Sequence, residues 1–219
     1  MPAAAAEQFA TLLEALAAEP DPPTTIRLPE DAVDGHLADS LAGLEVAQLR
    51  AAGRIADVGA GAGFPGLALA VALPDARVDL IESVARKCTV IDRLAAAAGL
   101  ANVRTVAQRA EEWAARDGAE AYDAVAARAV APLAVLVEYA APLLRLGGVL
   151  VAWKGARDPV EEAAGAGAAA RVGLEPRAAM RVSPFSGARA RHLHVYAKAG
   201  VTPAGFPRRP GVARKHPLG

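Results

Sequence analysis

The segment that most restricts this chain is Asp57-Val58-Gly59-Ala60-Gly61-Ala62-Gly63-Phe64-Pro65-Gly66. The apolar run Ile55 to Val58 leads into it, and an apolar helical stretch follows. Strand, glycine loop and helix in that order hold a nucleotide-like cofactor at the edge of an α/β sheet. Glycines suit the loop because the turn is sharp and a side chain would block a ligand's approach to the backbone. Asp57 puts a carboxylate at the carboxyl end of the strand. That favours S-adenosylmethionine, which carries a positive amino group and no phosphate. A dinucleotide is the alternative, because Gly61-x-Gly63-x-x-Gly66 satisfies the dinucleotide pattern. Against it, the strand-end acid would face a pyrophosphate, and the pattern starts two residues late relative to Gly59. Pro65 also has no N–H to offer where the helix should present one. A glycine loop with no ligand is the plainest reading, and four glycines with an acid in ten residues argue against it.

Alternating strand-like and helix-like segments surround this loop. Helices are predicted at Glu7–Ala18, about Pro29–Ala51, Pro65–Ala72, Arg86–Ala98, around Glu111-Glu112-Trp113, Pro132–Leu144 and over 159–171, the last alanine- and glycine-rich and weakly packed. Strands are predicted at Ile55–Val58, Val78–Ile81, Val103–Val106, Tyr122–Ala127 and Val149–Trp153, with a hairpin-like pair near Arg177–Val182 and His192–Ala199. Repeated βα units imply a mostly parallel sheet covered by helices. The expected fold class is therefore α/β, Rossmann-like, with helices on both sheet faces and a carboxyl-terminal antiparallel hairpin; the glycine loop, not the repeat, makes a class I S-adenosylmethionine-dependent methyltransferase the expected form of it. The expected organisation is an amino-terminal helical extension (1–52), the methyltransferase domain (53–200) and a basic, proline-rich tail (201–219).

Net charge is zero, but its distribution is not even. Met1 to Arg50 holds nine acidic residues and two basic ones, and no acid follows Glu175. Arginine, lysine and three of the four histidines fill that last stretch. A concentrated basic segment is the footprint of a polyanion, most often nucleic acid. Pro203, Pro207, Pro210 and Pro217 predict an extended arm there rather than a helix. Cys88 is the single cysteine, which excludes a disulfide framework and a cysteine-based metal cluster, and no metal site is expected. No signal-like or membrane-spanning stretch is evident, so a soluble cytoplasmic protein is the expectation.

Binding residues in such a sheet lie just beyond the strand carboxyl ends. The second strand ends at Glu82-Ser83, where an acid accepts both ribose hydroxyls of an adenosine. The third leads to Gln108-Arg109-Ala110-Glu111, placed for adenine, although an acid in a first helical turn is also favoured by the helix dipole alone. The fourth ends at Arg128 and the fifth at Lys154-Gly155. Rim charges are the plain reading of these two, and their shared position at one sheet edge favours a joint role.

Several segments, in order and spacing, resemble the bacterial small-subunit rRNA guanine-N7 methyltransferases, the glucose-inhibited division protein B family. They are His36-Leu37-Ala38-Asp39-Ser40-Leu41, the loop Asp57–Gly66 with its Gly-Phe-Pro-Gly ending, Glu82-Ser83 with Arg86-Lys87, and Arg109-Ala110-Glu111-Glu112. Ala127-Arg128-Ala129, Trp153-Lys154-Gly155, Arg191-His192-Leu193 and the tail from Phe206 to Leu218 complete the set, which covers nearly the whole chain. The resemblance implies methyl transfer from S-adenosylmethionine to N7 of a guanine in the 530 loop of 16S rRNA. By similarity Gly59, Phe64, Ala110, Glu111 and Arg128 contact the cofactor, beside Asp57, Gly61 and Glu82 from the reading above. Expected RNA contacts are His36, Arg86, Lys87, Arg191, His192, Arg208, Arg209 and Lys215. The partner is 16S rRNA or a small ribosomal subunit precursor, with no membrane and no obligate protein partner evident. The sequence departs from the family where Asp21-Pro22-Pro23-Thr24-Thr25 replaces a longer helical region, and where Gly35 precedes His36.

Guanine N7 already offers a lone pair, so no general base is expected, and catalysis is mostly positioning. Arg128 and Lys154 are the candidates to hold guanine O6 or a neighbouring phosphate. A two-pronged arginine grip on O6 and N7 would block the reacting atom. Cys88 falls inside a predicted helix and reads as a small apolar residue, not a nucleophile. A small-molecule methyltransferase and an NAD-binding oxidoreductase are the alternatives; neither needs the basic carboxyl-terminal segment.

Overall fold

The structure, a computed structural model, describes residues 3–26 and 29–219. Its strands are β1 (Arg54–Val58), β2 (Arg77–Ile81), β3 (Val103–Val106), β4 (Tyr122–Arg128), β5 (Leu144–Lys154), β6 (Leu174–Val182) and β7 (Arg191–Lys198). They form a seven-stranded sheet in the order β3-β2-β1-β4-β5-β7-β6. The first five strands are parallel, while β7 runs antiparallel to β5 and pairs with β6 as a hairpin. Chain order reverses direction at β1, between β2 and β4. The crevice at the carboxyl end of such a switch point is where α/β sheets bind ligands.

Side-chain alternation sends each strand's apolar residues into two cores. Ile55, Val78, Leu80, Ala124, Val149 and Val151 face one core, completed by α1 (Ala3–Ala18), α4 (Ala47–Arg50), α5 (Gly66–Ala72) and α6 (Ala85–Ala97). Ala56, Val58, Ile81, Val125, Leu150 and Ala152 face the other, against α7 (Ala110–Ala114), α8 (Leu133–Ala140) and α9 (Pro159–Val172). Both faces are thus covered, which is why these strands read as continuous apolar runs. Phe9, Leu12 and Leu16 of α1 belong to the first core, so the amino-terminal helix shares its packing with the sheet.

Three expectations are corrected. The helix predicted over about Pro29–Ala51 is broken into α2 (Pro29–Ala32), a π-helical turn (Val33–Ala38), α3 (Asp39–Leu41), a 3-10 turn (Ala42–Glu45) and α4. Gly43 lets the indole of Trp153 pack where a Cβ would stand, and Trp153 Nε1 donates to Asp39 O at 2.8 Å. That contact from β5 dictates the break, and the wider π turn accompanies the burial of His36 and Asp39. Second, α9 is not weakly packed: Ala168, Ala169 and Val172 are fully buried. Its small residues permit close approach, Gly165 lying where a Cβ would meet Leu133 and the Tyr196 hydroxyl at 2.6–2.8 Å.

Third, the tail is not a free arm. Gly211, at φ 82°, opens a one-turn helix α10 (Val212–Lys215) between Pro210 and Pro217. Ala213 is buried, and Phe206 and Leu218 pack against the second core. Prolines exclude a helix interior but leave room for a single turn between them.

Candidate active site

The glycine loop leaves β1 with Gly59, Gly61 and Gly63 at φ 71°, 60° and 97°, a region that favours glycine. Two further contacts need a missing side chain. A Cβ on Gly59 would lie 2.7 Å from Val130 Cγ2, and one on Gly66 would lie 2.8 Å from Asp57 Oδ2 and 2.9 Å from Leu80. Gly61 has only its own loop backbone nearby and leaves open space above it.

Asp57 does not reach out of the loop. It is 1% exposed, and Oδ2 accepts the Gly66 N–H at 2.7 Å, fastening the start of α5 to the end of β1. Burial pushes its pKa up to about 7, opposed by the Gly66 bond and by Arg128 and reinforced by Glu82. Its other oxygen, Oδ1, is buried with no hydrogen-bond partner among the described residues. Glu82 Oε2 accepts the Gly61 N–H at 3.1 Å and Oε1 the Val84 N–H at 2.9 Å. A carboxylate has about four lone-pair positions, so Glu82 is oriented by the loop and still able to accept ribose hydroxyls.

Gly59 and Glu82 line a cavity of about 320 Å³ together with Gln108, Ala110, Glu111, Val130, Tyr139 and Arg214. A larger cleft of about 1360 Å³ adjoins it, lined by His36, Asp39, Arg86, Arg128, Lys154 and Arg191 among others. Lys87, Ala129 and Val130 line both, so the two spaces meet at the loop after β4.

The cleft's cations are held in place. Arg128 is 14% exposed at its side chain and donates to Asp39 Oδ2 at 2.8 Å and to Gly35 O at 2.9 Å. Arg191 Nε lies 3.3 Å from Asp39 Oδ1. Lys154 Nζ lies 2.5 Å from Glu161 Oε1, which also accepts the Leu133 N–H at 2.9 Å. His36 stacks on Phe64 with ring centroids 4.6 Å apart and meets Thr24 Oγ1 at 3.0 Å. Burial and Arg128 push its pKa down to about 4, so it is neutral at pH 7. Arg86 is paired with Asp21, and His192 Nδ1 lies 2.8 Å from Gly155 O.

The sequence-predicted residues therefore divide. Gly59, Glu82, Ala110 and Glu111 share the small cavity; His36, Arg86, Arg128, Lys154 and Arg191 share the cleft, with Lys87 between. Asp57 and Phe64 are buried behind the loop, and Gly61 binds Glu82. Arg208 makes a bidentate pair with buried Glu138 at 2.5–2.6 Å, and Arg209 and Lys215 have no ion pair among the described residues. Sequence reasoning missed Asp39, which holds two of the cleft's arginines, although the motif His36–Leu41 contains it. It also missed Val130, Tyr139 and Arg214. The signal for the last was the apolar Phe206, Val212 and Leu218 among the prolines, which marks a docked segment.

Against known proteins, residues 4–182 match the family model described as rRNA small subunit methyltransferase G. The chain belongs to that family. A ribosomal RNA small subunit methyltransferase G from Rubrobacter xylanophilus is 43% identical over 197 residues, covering 88% of this chain and 75% of the relative. One from Deinococcus radiodurans is 42% identical over 218 residues, covering 97% of this chain and 85% of the relative. Among solved structures, Aeropyrum pernix fibrillarin with natively bound S-adenosyl-L-methionine superposes with a TM-score of 0.57 at 20% identity, covering 73% of each chain. At that identity the likeness is one of fold, the Rossmann-like methyltransferase sheet. Among the described residues no helix is long and apolar enough to cross a membrane.

Proposed function

We propose that this chain transfers a methyl group from S-adenosylmethionine to N7 of a guanine in the 530 loop of 16S rRNA, within the rRNA or a small-subunit precursor. The observation that carries this reading is the junction of two unlike spaces. A small cavity with an oriented strand-end acid opens onto a cleft about four times larger, where five cations, Arg86, Lys87, Arg128, Lys154 and Arg191, outnumber three acids, Asp39, Asp158 and Glu161. The first suits an adenosine, the second a polyanion.

The residues present fit the cofactor. Glu82 accepts the ribose hydroxyls, and Ala110 and Glu111 flank the adenine. Gly59 lines the cavity, and the open space above Gly61 lets a ligand approach the loop backbone. Bound S-adenosylmethionine supplies an electrophilic methyl on a positively charged sulfonium. The protein's own task is orientation. Arg128, braced by Asp39 and Gly35, and Lys154, braced by Glu161, stand at the cleft to hold guanine O6 or the adjoining phosphate. N7 needs no deprotonation, and His36 in its neutral form adds no charge beside it. The loop after β4 reads Ala129-Val130-Ala131-Pro132, without the Asn/Asp-Pro-Pro-aromatic pattern of exocyclic amino methylation.

Incubation with radiolabelled S-adenosylmethionine and purified small subunits or 16S rRNA tests the reading. Label should enter a ribonuclease-sensitive acceptor, and Glu82→Ala should raise the cofactor Kd by about tenfold or more, the cost of removing hydrogen bonds to a charged acceptor. Label that survives ribonuclease in a small molecule would instead support the small-molecule reading.

A further inference from the structure

We infer that the carboxyl-terminal segment 206–219 is a strap that forms one wall of the cofactor pocket, and that Arg214 is the positioning residue through which it acts. The inference rests on reading the 320 Å³ cavity as the site of S-adenosylmethionine.

Three links tie the strap to the cavity. The Gly211 N–H donates to Glu111 Oε1 at 2.9 Å, so a carboxylate only 6% exposed takes a hydrogen bond from the tail. Arg214 lines the cavity beside Tyr139, and its Nη2 donates to Val130 O at 2.9 Å. Val130 in turn packs its side chain against Gly59, the first residue of the glycine loop, leaving no room there for a Cβ. Along the cavity rim these contacts join the glycine loop, the loop after β4, the strap and the start of α7 in series. Ala129 sits at φ 57°, a conformation a non-glycine residue keeps only when its surroundings hold it. Arg214 holds the carbonyl of the next residue.

The strap is anchored on both sides of Arg214. Arg208 grips Glu138 through Nε and Nη2, and Nη2 also donates to His216 O at 2.9 Å. Arg171 donates to Leu218 O at 3.2 Å, and Ala213 is 1% exposed. Pro217 and Gly219 reach the large cleft. Cofactor binding that depends on the docked strap must by linkage stabilise docking equally.

The strap carries its own reporters, because Arg208–Arg209, Arg214–Lys215 and Lys215–His216 are tryptic bonds. Saturating S-adenosylhomocysteine should slow cleavage at Lys215–His216 in the full-length protein by about tenfold or more, as expected when a bound state protects. Arg214→Ala, folded by circular dichroism and melting, should raise the Kd and KM for S-adenosylmethionine by about tenfold, leaving kcat at saturating cofactor within twofold. Arg214→Lys should restore part of the affinity, whereas a general loss of folded protein would lower kcat and leave KM unmoved. Glu82→Gln separates the two readings. If it binds as tightly as the native protein, the cavity is not the cofactor site. If it weakens binding while Arg214→Ala does not, or if cleavage ignores the ligand, the strap proposal alone is overturned.

Discussion

Asp57 and Lys154 show how single side chains at one sheet edge are set to different tasks by their surroundings. Asp57 keeps its proton up to about pH 7 in the folded protein because burial penalises its charge; unfolded, it releases it near pH ~4. Between those values the native state binds more protons than the unfolded one, so this residue's contribution to stability falls as pH rises from about 4 to 7. His36 works in the opposite sense, its pKa being pushed down to about 4. Comparing the native protein with Asp57→Asn cancels the histidine, since both proteins retain it. Urea unfolding across that pH range should show the native protein losing ground against Asp57→Asn as pH rises; parallel curves would remove the titration from Asp57. Lys154 is exposed by only about a fifth and is aimed by Glu161. Lys154→Met should lower kcat/KM for RNA by about 10–100-fold, the worth of one charge-assisted hydrogen bond, with the cofactor Kd unchanged by calorimetry. A matching drop in cofactor affinity would move Lys154 out of the substrate cleft.

At the scale of elements, the strands and the glycine loop were legible because their causes are local. Strands buried on both faces are apolar throughout, and Gly59, Gly61 and Gly63 occupy positive φ where the sequence places glycine. Strand-end logic then named Glu82, Ala110 and Glu111, which the fold brings around one cavity with Gly59. The broken amino-terminal helix was illegible because its cause is distant, an indole on β5; the tail's apolar Phe206, Val212 and Leu218 signalled docking, but not its partners, Glu138 on α8 and Val130. Arg208 is the clearest case, a basic residue in a basic run that is committed to a buried partner. Glu138 is 3% exposed at its side chain and Arg208 24%. Arg208→Ala strands that carboxylate and should destabilise the protein by about 3–5 kcal/mol, while Arg209→Ala should stay within about 0.5 kcal/mol. Denaturant titration of the two variants distinguishes them, and equal stabilities would mean the tail adds nothing to the fold.

For the whole molecule, a net charge of zero divides into an acidic amino-terminal part and a wholly basic end. Folding consumes part of that basic surplus internally: Arg191 on Asp39, Arg208 on Glu138, Lys198 on the backbone carbonyls of Ala141 and Val172. Arg181, Arg189, Arg209 and Lys215 keep no ion pair among the described residues and are the proposed contacts for rRNA phosphates. Replacing Arg209 and Lys215 together by alanine should flatten the log–log salt dependence of rRNA binding by roughly 0.7–0.9 for each phosphate no longer neutralised. An unchanged slope would assign the phosphates to Arg181 and Arg189. The identity of the methylated atom decides whether the two adjoining spaces work as proposed. The direct measurement is nuclease fragment mapping by mass spectrometry of 16S rRNA from subunits incubated with the protein and S-adenosylmethionine. A single methyl on guanine N7 in the 530-loop fragment, formed more slowly by Glu82→Ala at sub-saturating cofactor, is the result predicted; methylation of another atom or another fragment, or none, would contradict it.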